Sequence, residues 1–270
     1  MKLKFSYPLV FSGLIALSTL GACNQNTKTA DSNADSTKMD KKMSIEPLTE
    51  TDDFANAKLM IKDVKTEMVG TDSAKMMVNF DVANYELTKQ TMDMNSGECA
   101  NSDKGQHIHF ILDNKPYQAL YKPENTITLP LNSEHYLLCF LSRSYHLSVK
   151  APDAAVVVHF KIDEKGKYVK MDDSKAPMLF YSRPKGEYAG KDTQNLLLDF
   201  YVKNATLAAD GYKVKVAVND TTFTVDKWQP YFIKNAPMGE LKVKIQLQDA
   251  SGKDVTGDNT MVERTVTLKQ

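Results

Sequence analysis

The usual signatures of hydrolytic and redox chemistry are missing from this chain of 270 residues. It has no Gly-x-Ser-x-Gly elbow, no His-Glu-x-x-His pair, no Cys-x-x-Cys pair and no glycine-rich phosphate loop. That speaks against an enzyme and for a binding module. A basic excess is also missing: Lys+Arg and Asp+Glu both number 34. With no surplus of positive charge to neutralise phosphates, nucleic acid is excluded as the expected partner. Cysteine is scarce, at three residues, and tryptophan occurs once. No long helical pattern appears, and beyond the first twenty residues no apolar run is long enough to span a bilayer.

What is present begins with an address. Lys2 and Lys4 precede an apolar stretch, Leu9 to Leu20, which runs into Leu20-Gly21-Ala22-Cys23. Basic residues, an apolar segment and small residues before a cut form a secretory signal. A cysteine directly after the small pair resembles the lipobox of bacterial lipoproteins, so residues 1–22 are expected to be removed and Cys23 to be lipidated. Several acyl chains on Cys23 would anchor the protein stably, at about 0.8 kcal/mol per buried CH₂. Loss of Lys2 and Lys4 leaves 32 basic against 34 acidic residues, a net charge of −2. The expected location is the bacterial cell envelope, at the outer membrane, with the membrane itself as one partner. Residues 23–54 are poor in large apolar side chains and are expected to form a flexible tether. Asp31, Asn33 and Asp35 mimic a calcium loop, but Ser36 replaces its glycine and Lys42 its closing glutamate.

The remainder is strand-like: β-branched or alternating runs separated by Asn, Asp, Gly and Pro. Two sets of such runs align. Asn79–Leu87 matches Asp199–Leu207, Gly105–Asn114 matches Gly211–Asp220, and His135–Leu141 matches Glu240–Gln246. A module repeated in this way predicts an all-β chain of two tandem immunoglobulin-like β-sandwich domains, residues 55–163 and 178–270, joined by a linker at 164–177, with small β-barrels as the alternative because strand count alone does not fix closure.

The alignment also exposes a difference. In the later copy, Lys213, Lys215, Lys242 and Lys244 alternate with apolar residues, as on a sheet with one wet face. In the earlier copy the corresponding places hold His107, His109, Leu137, Cys139 and Leu141. The earlier copy also has 17 residues between Leu87 and Gly105, against three between Leu207 and Gly211. This insertion, residues 88–104, carries Met92, Met94 and Cys99 and is expected to fold over the His/Cys face.

Three readings of that face stand side by side. A disulfide between Cys99 and Cys139 would pin the insertion down, as an exported protein permits. A copper or zinc site would use His107 and His109, which project from one side of a strand, with His135 and with Met92 or Met94 as a soft ligand. A small anionic ligand would be gripped by Arg143, Tyr145 and His146 at a strand end. The similar stretch Phe180–Tyr188 in the later copy reads as an edge turn with ordinary salt bridges, and the lysine-rich face of that copy as a spacer or a docking surface for another envelope protein.

Gly105-Gln-His107-Ile-His109 resembles one strand of the copper/zinc superoxide dismutases, but no further ligand follows at that family's spacing, so its activity is not implied. The stretches Gly105–Asn114, Phe140–His146 and Met178–Tyr188 look like those of lipoproteins from Bacteroidetes-type bacteria. That resemblance covers most of residues 55–270 and implies export and a two-sandwich build, without a reaction.

Overall fold

A computed structural model describes residues 41–49 and 54–270. The expected signal segment, Cys23 and most of the expected tether lie outside the described residues. The strands are β1 (Ser44–Pro47), β2 (Lys58–Val69), β3 (Ser73–Ala83), β4 (His107–Leu112), β5 (Gln118–Leu120), β6 (Glu124–Pro130), β7 (Ser133–Ser142), β8 (Ala155–Ile162) and β9 (Tyr168–Lys170). They continue as β10 (Met178–Arg183), β11 (Gly186–Ala189), β12 (Asn195–Lys203), β13 (Lys213–Val218), β14 (Thr221–Val225), β15 (Tyr231–Lys234), β16 (Gly239–Gln248) and β17 (Met261–Lys269).

These strands build two immunoglobulin-like sandwiches. In the first, the sheet β2-β3-β6 faces the sheet β5-β4-β7-β8-β9. In the second, β1-β15-β12-β10 faces β11-β17-β16-β13-β14. The order β2-β3-β6 repeats as β10-β12-β15, and β5-β4-β7-β8 repeats as β14-β13-β16-β17. The repeat reaches the turns: Asn84 and Asn204, at equivalent strand ends, both sit at positive φ, +54° and +56°. Asparagine tolerates that conformation because its short amide bonds locally.

The second sandwich follows the alternation in its sequence. Val214, Val216, Val218, Leu241, Val243, Ile245 and Leu247 are fully buried in one core. Lys213, Lys215, Lys242 and Lys244 take the other face.

The first sandwich departs from expectation in the phase of β7. Pairing sets Ile108 opposite Leu141, His109 opposite Phe140 and Phe110 opposite Cys139. Directly paired residues share a face, so Leu137, Cys139 and Leu141 join Ile108 and Phe110 inside the sandwich. Leu138 and Phe140 lie on the histidine side with Ile111, and there they meet Met178 and Phe180 of β10. Both faces of β4 and β7 are therefore buried. A strand covered on both sides reads as a continuous apolar run whose phase alternation cannot supply.

Three further expectations need correction. Cys99 and Cys139 are both buried free thiols, not a disulfide. Cys139 points into the first core, whereas Cys99 packs with Leu48, Tyr145, Leu147, Leu197 and Phe232. The insertion is not pinned to the histidine face by Cys99, and only its end reaches that side, where Ser102 Oγ meets the Tyr121 hydroxyl. It braces the turn after β7: Thr91 N donates to Ser144 Oγ, Ser144 N to Thr91 Oγ1 and Ser102 N to the Ser144 carbonyl. Met92 and Met94 point outward, at 88% and 70% exposure. The tether and linker boundaries also shift, because β1 pairs with β15 inside the segment read as tether, and β9 pairs with β8 inside the segment read as linker. Strands of four and three residues leave too little pattern to recognise, and they are fixed by distant pairing.

Burial pushes the Cys99 thiol up to about 12 and the Cys139 thiol well above its ordinary value. Both thiols should therefore be silent towards a thiol reagent in the native protein. Denaturation without reductant should release two reactive thiols from these positions, and recovery of none would restore the disulfide.

Candidate functional site

The site begins with a period of two. Residues 107 and 109 of β4 project from the same side of the sheet, and both imidazoles are 0% exposed. The third member comes from the turn that follows β7. Arg143 N donates to the Leu147 carbonyl and His146 N to the Arg143 carbonyl, a tight reversal that holds His146 at φ +71°. That backbone region is disfavoured for a side chain of this size, and the bracing insertion helps to maintain it. The reversal swings the His146 ring over β4.

Three ring nitrogens meet. His107 Nε2 is 3.0 Å from His109 Nε2 and 3.1 Å from His146 Nδ1. His107, His109 and His146 each offer a ligand nitrogen, and all three lie within 4.8 Å of one another. The sequence expectation of His135 as the third ligand is corrected. His135 Nδ1 is bound to Asp113 Oδ2 at 2.8 Å and its Nε2 to Ser133 Oγ at 2.7 Å, at the far end of β7. The anion grip is corrected as well. Tyr145 OH donates to Asp93 Oδ2 at 2.9 Å, and Arg143 Nε lies 3.5 Å from the same carboxylate. Arg143 and Tyr145 are both buried there, holding the insertion, and of that trio His146 alone enters the cluster.

Proton placement decides what the cluster can do. A carbonyl accepts and cannot donate, so the 2.8 Å contact to the Gly105 oxygen places a proton on His107 Nδ1. The neutral ring then presents a bare lone pair at Nε2. His109 Nδ1 lies 3.0 Å from Ser182 Oγ, and the Tyr117 hydroxyl lies 3.2 Å from His146 Nδ1. Without a metal, His109 Nε2–H can donate to His107 Nε2 and the Tyr117 hydroxyl to His146 Nδ1, which leaves the lone pairs of His107 and His146 facing each other at 3.1 Å. One cation at the centre would accept all three lone pairs and remove that repulsion. Tetrahedral or trigonal nitrogens bound at about 2.0–2.1 Å stand roughly 3.4–3.6 Å apart, so the two contacts of His107 would lengthen by a few tenths of an ångström, with the third pair of nitrogens within 4.8 Å. The outer ring nitrogens of His107 and His109 already have a carbonyl and a hydroxyl as orienting partners, the usual support for metal-bound histidine.

The walls are aromatic. Tyr117 stacks on His109 with ring centres 3.6 Å apart and planes 9° from parallel. Tyr121 lies 5.1 Å from His107, and Phe140 4.8 Å from His109. Gly105 is required where the insertion rejoins β4: its φ is +80°, and a Cβ there would fall 2.2 Å from the Thr88 carbonyl oxygen.

Ser182, Arg183 and Lys185 close the site from the second sandwich. The edge salt bridge expected of this stretch forms at Glu187, which pairs with Lys269 at 2.7 Å, while Arg183 and Lys185 turn instead to the site. Arg183 Nη1 donates to Tyr188 OH, and Lys185 Nζ donates to the Tyr117 carbonyl. Asn114 clips the seam together, accepting from Tyr181 N at 2.9 Å and donating to the Leu179 carbonyl at 2.8 Å. Tyr117, Ser182 and Asn114 carried no signal in the sequence that tied them to the histidines, because only the packing of one sandwich on the other brings them there.

No protein-family model and no curated protein matches the chain. Among solved structures it is similar to the fibronectin(III)-like modules of Clostridium thermocellum CbhA, at 12% identity over 78% of this chain and 94% of that one, with a TM-score of 0.28. It is also similar to the central fibronectin-III array of RIM-binding protein, at 11% identity over 80% and 70% of the two chains, with a TM-score of 0.25. The two tandem V-type regions of VCBP3, a v-region-containing chitin binding protein, match at 7% identity over 79% and 99%, with a TM-score of 0.22. The functional reading therefore rests on the geometry of the site itself.

Burial, reinforced by Arg183 and Lys185, pulls His107 down to about 4 and holds His109 and His146 well below the ordinary histidine range. A depressed histidine stabilises the fold above its unfolded value. The unfolded chain binds protons first as pH falls through about 6.5, and the loss continues until the folded group titrates. Unfolding in urea should show stability falling from about pH 6.5 to pH 4, by on the order of 3 kcal/mol from His107 alone. His107→Gln combined with His146→Gln should reduce that slope to what His109 alone contributes, and an unchanged slope would show that these rings are not neutral and buried.

Proposed function

We propose that this chain is a lipid-anchored binding protein of the bacterial cell envelope, held at the outer membrane through Cys23, and that it binds one copper or zinc ion through His107, His109 and His146. One observation carries the metal reading: three imidazoles, buried or nearly so, turn one ring nitrogen each towards one point. The arrangement suits binding more than catalysis, since aromatic walls and the second sandwich close the space around the nitrogens. The anchoring reading rests on the signal, small-residue and cysteine sequence at residues 1–23. Among the described residues no helix is long and apolar enough to cross a membrane, so the attachment in this reading is the lipid.

Metal added to the purified, metal-stripped protein should be retained at about one ion per chain, the capacity of a single three-histidine site. At a free concentration one hundred times Kd it should stabilise the fold by about 2.7 kcal/mol. His107→Ala with His109→Ala should abolish both uptake and stabilisation, whereas His135→Ala should leave uptake intact. Undiminished uptake by the double variant would end the assignment.

A further inference from the structure

The seam over the three imidazoles carries positive charge without acidic partners. Arg183 is buried, and Lys185 and Arg264 lie beside it. Arg264 spends its guanidinium on backbone carbonyls, those of Tyr181, Ser182, Asn114 and Lys115. Arg183 uses the Tyr188 hydroxyl, and Lys185 the Tyr117 carbonyl. Among the described residues none of the three lies within ion-pair distance of a carboxylate. Two of these charges are aimed at the cluster through one ring. Lys185 Nζ sits 3.9 Å and the Arg183 guanidinium 5.3 Å from the centre of Tyr117, which itself stacks at 3.6 Å on His109.

Such surroundings select by ionic charge. The cluster offers three neutral ligands, and its outer partners, the Gly105 carbonyl and the Ser182 hydroxyl, are neutral as well. Nothing in that set offsets the charge of the ion. Repulsion from each nearby cation is twice as large for a divalent as for a monovalent ion, and a site with little water screens it weakly. Zinc in addition usually takes a fourth ligand, and the rings of Tyr117, Tyr121 and Phe140 wall the histidines. Imidazole suits copper as well as zinc, Cu(II) favours a square-planar or tetragonal set that three nitrogens do not complete, and an aromatic shell that limits solvent access leaves three-coordination, which the d¹⁰ ion Cu(I) accepts.

We infer that the His107/His109/His146 site takes copper as Cu(I) and discriminates against Zn(II) and Cu(II), with Lys185 and Arg183 of the second sandwich setting that preference. This rests on the metal-binding reading above and narrows it to one ion.

The test is an anaerobic titration of the purified full chain with Cu(I) against a colorimetric Cu(I) chelator, with parallel Zn(II) titrations against a fluorescent zinc chelator. Cu(I) should bind at least about a hundredfold more tightly than Zn(II). Lys185→Gln should narrow that ratio by about tenfold, within the range by which outer partners tune metal affinity. Zn(II) binding as tight as Cu(I), or a ratio unmoved by Lys185→Gln, would overturn the inference. His107→Gln with His109→Gln, shown by thermal unfolding to be folded, separates the two layers. If it loses metal while the wild type prefers Zn(II), the triad stands and the Cu(I) preference falls. If it binds Cu(I) as the wild type does, the triad itself falls, and the Cu(I) inference with it.

Discussion

Two imidazoles placed two residues apart on a strand must leave the sheet on the same side, and on β4 that side is not wet. Everything distinctive about this molecule follows from covering it. The strand-equivalent positions in the second sandwich are Lys213 and Lys215, which use the same geometry to meet water. Replacing two ammonium groups by His107 and His109 removes the charge. Met178 and Phe180 of β10 then pack on Ile111, Leu138 and Phe140, and one sandwich docks on the other. Without that apolar contact the histidines would be two hydrated side chains with ordinary proton affinities.

Beside the imidazoles the seam settles its polar groups by capping, while elsewhere Lys150 of the first sandwich pairs with the buried Asp199 carboxylate of the second. Asn114 mimics a strand neighbour for β10, and Arg264 gathers four carbonyls from the two sandwiches. Guanidinium groups hydrogen-bonded to carbonyls keep their charge, so Arg183, Lys185 and Arg264 set positive charge beside the imidazoles with no carboxylate at ion-pair distance among the described residues. Burial and that charge act in the same direction on the imidazoles, and both keep them unprotonated. A group of lone pairs held bare in this way is what a metal ion needs.

The architecture was legible in the sequence because a repeat checks itself. The match of Gly105–Asn114 to Gly211–Asp220 fixed β4 against β13, and the asparagine turns after Ala83 and Lys203 agreed even in their unusual backbone. His107 and His109 were legible for the same reason, as deviations from a pattern set by the other copy. Their companion was not. His135 lies near the start of β7 and His146 beyond its end, and only the tight reversal at residues 143–147 brings His146 back over β4. The phase of β7 was hidden because Leu137, Leu138, Cys139, Phe140 and Leu141 are all apolar and all buried. The misplaced phase in turn brought Cys139 to the wrong face and suggested a disulfide to Cys99. Tyr117, Ser182, Arg183 and Lys185 act through packing between the two sandwiches, for which a single sequence carries no local code.

The central claim is that three imidazole nitrogens face one point, and the protonation state of each ring tests it most directly. Nitrogen-15 NMR of the metal-free protein near neutral pH should show His107 protonated at Nδ1 and bare at Nε2, and His146 bare at Nδ1. Those two nitrogens and His109 Nε2, and no others among the histidines, should shift when metal is added. A proton found on His107 Nε2, or an imidazolium within the trio, would mean that the cluster is an internally hydrogen-bonded core element and would contradict the account.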